Sequence, residues 1–140
     1  MKIPFVDLGR QYKDVKKETN KVILDTFSSG DFILGENVRK FEEEFAKFIG
    51  VKYCVGVASG TDALLLSLRA LGVGVGDEVI TTTFTFIATV LPIIYLGAKP
   101  VFVDIDPDTY QIDIKKLKKA ITKKTKVIIP VHLFGIPFPM

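Results

Sequence analysis

The sequence predicts an α/β fold, a mostly parallel sheet with helices on both faces, preceded by two helices. Three observations carry this. From residue 53 onward, apolar runs of strand length alternate with runs of helical periodicity in the order β-α-β-α-β-α-β. Two of those strands, around Val101-Phe102-Val103 and Val127-Ile128-Ile129, are apolar without alternation, as expected where helices cover both faces of a parallel sheet. The segment 1–50 instead carries two helix-spaced apolar stripes, each followed by a glycine.

In the first stripe Tyr12, Val15, Val22 and Phe27 share a helical face, and Gly30 stands where a C-terminal cap belongs. The second stripe is Val38, Phe41, Phe45, Phe48 and Ile49, closed by Gly50. Between them lies a glycine-bounded connection, Ser28-Ser29-Gly30-Asp31-Phe32-Ile33-Leu34-Gly35, whose apolar residues suit a partner surface or a pocket rim. Glu42-Glu43-Glu44 reads as the wet face of the second helix. The elements that follow are a strand near 53–58, a helix over 61–71 and a strand over 78–83, then a helix over 86–96, a strand over 100–104, a helix over 114–122 and a strand over 126–132. Pro92 falls inside the second of these helical stretches, the one over 86–96. Proline removes a helical hydrogen bond there, so a kink or a shortened helix is expected.

At 15.5 kDa the chain fits one domain's mass and can bury a real core. Its 48% hydrophobic and 25% charged residues exclude disorder and fibrous repeats. Mean hydropathy is +0.32, yet Lys99, Asp104 and Lys126 interrupt the apolar C-terminal half, so no run reaches the roughly 20 residues of a membrane helix. The start, Met1-Lys2-Ile3-Pro4, lacks the apolar core of a signal peptide, and a cytoplasmic address is expected. The lone Cys54, in a strand expected to be buried, offers no disulfide or cysteine metal site. A net charge of +3 comes largely from lysines between Lys115 and Lys126. Ile114, Leu117 and Ile121 recur among them at helical spacing, which makes the lysines the solvated side of an amphipathic helix and argues against a nucleic-acid surface.

The feature that points to chemistry is Ser59-Gly60-Thr61-Asp62, at the junction of a strand and a helix. The first amides of a helix lack intrahelical acceptors and carry the positive end of its dipole, so they suit a phosphate. Glycine lets an anion approach the backbone, and threonine adds a hydroxyl. A second predicted strand end, Phe84-Thr85-Phe86-Ile87-Ala88-Thr89, puts aromatics and hydroxyls at the same carboxyl edge, where ligands of parallel sheets bind. An anion cradle beside an aromatic platform describes a site for a phosphorylated flat cofactor. Gly72, Gly74 and Gly76 are no dinucleotide fingerprint, because they follow a helix and precede a strand; they read as a tight connection with Gly72 as a cap. Asp104, Asp106 and Asp108 read as turn and cap formers, with no metal site. His132 follows a strand, where a structural role is the commoner one and a ligand contact the alternative.

Six blocks resemble, in order and spacing, those of the DegT-type nucleotide-sugar aminotransferases. They are Ile3-Pro4-Phe5-Val6-Asp7-Leu8, Gly30-Asp31-Phe32-Ile33-Leu34-Gly35, Ala58-Ser59-Gly60-Thr61-Asp62-Ala63-Leu64, Gly76-Asp77-Glu78-Val79-Ile80, Phe84-Thr85-Phe86-Ile87-Ala88-Thr89 and Pro130-Val131-His132-Leu133-Phe134-Gly135. The resemblance implies the N-terminal part of the large domain of a fold type I enzyme dependent on pyridoxal 5'-phosphate (PLP). Residues 1–50 would be an N-terminal helical segment and 51–140 an incomplete PLP-binding α/β domain. The implied activity moves an amino group, generally from glutamate, onto a keto carbon of a nucleotide-linked deoxysugar, in a homodimer and with no nucleic-acid or membrane partner. Carried over by position, the amides of Gly60, Thr61 and Asp62 and the Thr61 hydroxyl would hold the cofactor phosphate, and Phe86 would stack on its ring. The Asp62 carboxylate is expected to turn away, since it repels phosphate.

In that family the aspartate paired with the ring nitrogen and the lysine that attaches the cofactor lie beyond the block containing His132, so no residue here is assigned to catalysis. The chain is therefore expected to be a fragment of a longer subunit. Its 53–58 strand would then lack its usual neighbour. A PLP-dependent sugar dehydratase of the same family and a non-catalytic fragment that binds a phosphorylated ligand or pairs with a full-length subunit are the alternatives.

Overall fold

The computed structural model describes residues 3–140. Met1 and Lys2, part of the chain start read above, lie outside the described residues. The chain divides into two compact units, Met1–Gly56 and Val57–Met140.

The first unit holds two helices. Helix α1 (Leu8–Ser29) begins at Asp7, whose carboxylate accepts the Arg10 amide, and ends at Gly30 in the left-handed region. Helix α2 (Glu36–Ile49) ends at Gly50 in the same conformation. Both expected caps are present. In the connection, the Asp31 carboxylate accepts the Glu36 amide at 3.0 Å. A Cβ at residue 35 would lie 2.5 Å from that carboxylate, which is why Gly35 is a glycine. Phe32, Ile33 and Leu34 are exposed. The apolar stripes are exposed too: α1 buries no residue, and Phe41, Phe45 and Phe48 stack along α2 at its surface. Glu43 and Glu44 are solvated as expected, whereas Glu42 is half-buried and accepts the Gly56 amide at 2.6 Å.

The second unit is a three-stranded parallel sheet in the order β2-β1-β3, built from β1 (Glu78–Thr82), β2 (Lys99–Val103) and β3 (Thr125–Ile128). The sheet is smaller than expected. Residues 53–58 form no strand: this stretch has no pairing partner among the described residues, and Tyr53 is 74% exposed. Unpaired backbone stays where water can satisfy it. Cys54, expected in the core, is accordingly only half-buried.

Adjacent residues of β1 point to opposite faces and seed separate cores. On one face Val79 packs with Leu68 of α3 (Gly60–Ala70), Ile93 of α4 (Leu91–Tyr95), Val73 and Ala98. On the other, Ile80 packs with Val103, Ile112 and Leu117 of α5 (Ile114–Ala120). Helices thus cover both faces, and Val79, Ile80 and Ile93 are fully buried. Each such side chain contributes about 1.5–3 kcal/mol. Pro92 acts as expected. The 86–96 stretch breaks into a 3-10 turn (Ile87–Thr89) and the five-residue α4, with Pro92 at its start, where its missing N–H costs least. Gly72 closes α3: its amide reaches the Arg69 carbonyl and the Val73 amide the Leu68 carbonyl, at 2.9 and 3.0 Å. Helix α5 stops at Ala120, two residues earlier than expected, and only Leu117 of its three apolar positions is buried.

The amino edge of the sheet is tied by charge. The β1–β3 register shifts between Glu78 and Val79, leaving Lys126 as an extra residue. Its ammonium reaches the Gly72 carbonyl and the Asp77 carboxylate. Glu78 accepts the Thr122 hydroxyl at 2.6 Å and pairs with Lys99 at 3.1 Å, and these donors hold its carboxyl below its ordinary value. A carboxylate depressed on folding stabilises the native state above its unfolded pKa, and that contribution disappears as pH falls through the folded one. Stability in urea is expected to hold from neutrality to about pH 5 and decline below about pH 4. Glu78→Gln should flatten that decline; an unchanged slope in urea titrations followed by circular dichroism contradicts the assignment.

Candidate functional site

At the carboxyl edge, the chain leaves the irregular stretch 53–58 and enters α3 through Ser59, whose backbone is extended. Ser59 Oγ accepts the Asp62 amide at 3.1 Å and donates to the Asp62 carboxylate at 2.9 Å. This cap holds the Asp62 carboxylate against the Ser59 hydroxyl at the helix opening, rather than turned away from it as expected. It also engages the Asp62 amide. The amides of Gly60 and Thr61, and the Thr61 hydroxyl, have no hydrogen-bond partner among the described residues. Nothing lies within 4 Å of where a Gly60 Cβ would stand, so the corner is open. Two free N–H groups at the start of an 11-residue helix have the geometry and dipole to receive an anion.

Phe86 opens the 3-10 turn that packs against α3, and it is 76% exposed. With Thr83, Thr85, Ile87, Val90 and Phe102 it lines a shallow hollow of about 230 Å³. The Thr85 and Thr89 hydroxyls are hydrogen-bonded to each other at 2.8 Å, which ties down the turn behind the ring. Phe84, its neighbour, is employed differently. It meets Tyr110 and Phe134 at centroid distances of 6.0 and 6.5 Å.

Of the aspartates after β2, Asp106 is a turn former as expected, whereas Asp104 is an ion-pair partner of Lys116. Asp106 accepts the amides of Asp108 and Thr109, both at 3.0 Å, and those bonds hold its carboxyl below its usual value. Asp104 is held low chiefly by Lys116, 2.9 Å away, and Asp113 caps α5. No group of His, Cys, Asp and Glu among the described residues is placed to hold a metal. His132 Nδ1 accepts the Phe138 amide at 2.9 Å.

A phosphorylated flat ring fits what is present: unpartnered amides for the anion, an open approach to Gly60, and an exposed ring face at Phe86. Sequence reasoning found these residues but missed two supporting roles. The Ser59 cap was legible in the serine-to-aspartate spacing. The Gln111 contacts described below had no such signal, because they join segments 25 residues apart.

The match to the DegT/DnrJ/EryC1/StrS aminotransferase family spans residues 13–140, and the chain belongs to that family. It is 50% identical over 133 residues to the UDP-2-acetamido-2-deoxy-3-oxo-D-glucuronate aminotransferase of Pseudomonas aeruginosa, covering 95% of this chain and 37% of that protein. The structure of S. venezuelae DesV superposes with a TM-score of 0.94 at 42% identity, over 98% of this chain and 37% of DesV. Bacillus subtilis ntda, solved with bound cofactor PMP, superposes with a TM-score of 0.90 at 36% identity, over 96% of this chain and 31% of its own. The chain thus spans about a third of the length of these relatives.

Replacing Ser59 by alanine removes the cap acceptor. Ser59→Ala is expected to lower stability by about 1 kcal/mol in chemical denaturation; no loss would show that the cap does not hold the corner.

Proposed function

We propose that this chain is the phosphate- and ring-binding part of a PLP-dependent aminotransferase that acts on a keto carbon of a nucleotide-linked deoxysugar. The observation that carries the reading is the pair of unpartnered amides at Gly60 and Thr61, together with the exposed ring of Phe86 at the head of the turn that packs against the same helix. Relatives named as sugar aminotransferases support the substrate class. In this reading residues 51–140 are the cofactor-binding part and 1–50 a helical segment. Glutamate is the proposed amino donor, the cytoplasm the proposed location and a homodimer the proposed assembly. The exposed apolar stripes of α1 and α2 support an assembly, and no helix among the described residues is long and apolar enough to cross a membrane.

When bound, PLP supplies an electron-withdrawing ring through which an amino group passes between donor and acceptor. The chain's own residues bind and orient. The Gly60 and Thr61 amides and the Thr61 hydroxyl take the phosphate, with the α3 dipole adding attraction that no side-chain titration can remove. The Asp62 carboxylate is engaged by the Ser59 hydroxyl and its amide serves the cap, so Asp62 lends neither group to the phosphate. Phe86 covers one ring face and excludes water from it.

The test is PLP affinity of the protein as its gene encodes it, followed by absorbance. Phe86→Ala is expected to weaken binding about three- to tenfold by loss of ring contact, and Thr61→Val by a similar factor through one hydrogen bond. Unchanged affinity in both variants would overturn the assignment of this corner.

A further inference from the structure

The stretch after β3 has little regular structure, yet it is fixed at three points. The Phe138 ring packs against the core of Ile80, Val103, Ile112 and Leu117. The Phe138 amide donates to His132 Nδ1 at 2.9 Å. Gln111, only 8% exposed, donates its side-chain amide to the carbonyls of Ile136 and Pro137 at 3.2 and 2.9 Å. The glutamine is itself held in a tight loop. The Tyr110 amide reaches the Asp106 carbonyl at 2.9 Å, the Asp106 amide reaches the Gln111 carbonyl at 2.8 Å, and Tyr110 takes a left-handed φ of 59°. That conformation is strained for a non-glycine residue, so the surrounding bonds must hold it. Phe134, in the loop that Gln111 clasps, is left-handed as well, with a φ of 54°.

The clasp has a chemical consequence at His132. A nitrogen that accepts a hydrogen bond carries no proton, so the neutral ring holds its proton on Nε2. His132 is exposed and stands just beyond the carboxyl end of β3, on the ligand edge of the sheet. Its Nε2–H has no partner among the described residues. We propose that Gln111 is a positioning residue: by pinning the Ile136 and Pro137 carbonyls it keeps the Phe138 amide on His132, and so presents an Nε2–H donor to an acceptor oxygen of the ligand bound at this edge. The ligand half of this proposal rests on the function proposed above. The clasp itself does not.

The test uses the protein as its gene encodes it, labelled with ¹⁵N at histidine, with His132→Gln identifying the His132 signals. The wild type is expected to show Nδ1 bare, Nε2 protonated, and a nitrogen–nitrogen coupling across the bond from the Phe138 amide. In Gln111→Met, of similar length but without donors, the ring signals should move toward the average of two exchanging tautomers. A wild-type ring protonated at Nδ1, or a Gln111→Met ring still locked as Nε2–H, overturns the clasp; if Gln111→Met does not fold, the wild-type coupling and tautomer decide it. PLP alone, then PLP with UDP-N-acetylglucosamine, should shift the Nε2–H signal in at least one arm, the arm telling whether cofactor or nucleotide sugar supplies the oxygen. Gln111→Met should weaken that ligand about three- to tenfold. PLP binding seen by absorbance with no shift in either arm overturns the ligand role. Absence of any PLP binding overturns the function proposed above and the ligand role with it, while the tautomer comparison still decides the clasp.

Discussion

Strand β1 is hydrogen-bonded along both edges, to β2 and to β3, and buried on both faces. This double burial is the constraint from which the second unit is built. Because Val79 and Ile80 point to opposite sides, one strand of five residues demands cover on two faces. Helices α3 and α4 supply one, α5 the other. Parallel pairing in turn obliges each connection to cross the sheet, so all three strands finish at the same edge.

The two ends of the sheet divide the work. At the amino edge, Asp77 and Glu78 are satisfied by Lys126, Lys99 and Thr122, and the electrostatics are closed. At the carboxyl edge the acidic residues are drawn into turns and caps, which leaves the free dipoles of Gly60 and Thr61 as the local positive field. Family membership explains why such an arrangement should be kept. The geometry offers unpartnered amides to a phosphate and the exposed Phe86 face to a ring, and the Asp62 carboxylate at the helix opening is hydrogen-bonded to Ser59.

Much of this was legible in the sequence wherever the determinant was local. Gly30 and Gly50 announce helix ends because few other residues take a left-handed cap, and Pro92 announces a helix start because it lacks the N–H that a helix interior requires. Ser59 and Asp62 are three residues apart, so their cap is written in the spacing. What could not be read depends on distant partners. Residues 53–58 have the composition of a strand, but composition cannot supply a neighbour, and the segment lies open. The stripes of α1 and α2 have core periodicity yet face solvent for the same reason. Gln111 looked like any polar loop residue; its role follows from a left-handed Tyr110 and from carbonyls 25 and 26 residues away.

The claim on which the functional reading stands is that main-chain N–H groups at the start of α3 receive the phosphate. Amide chemical shifts during a PLP titration test it at the atoms concerned. The account predicts large downfield shifts for the Gly60 and Thr61 amides, with the Asp62 amide, already bonded to Ser59, moving little. Saturable PLP binding that leaves the Gly60 and Thr61 signals in place would contradict it.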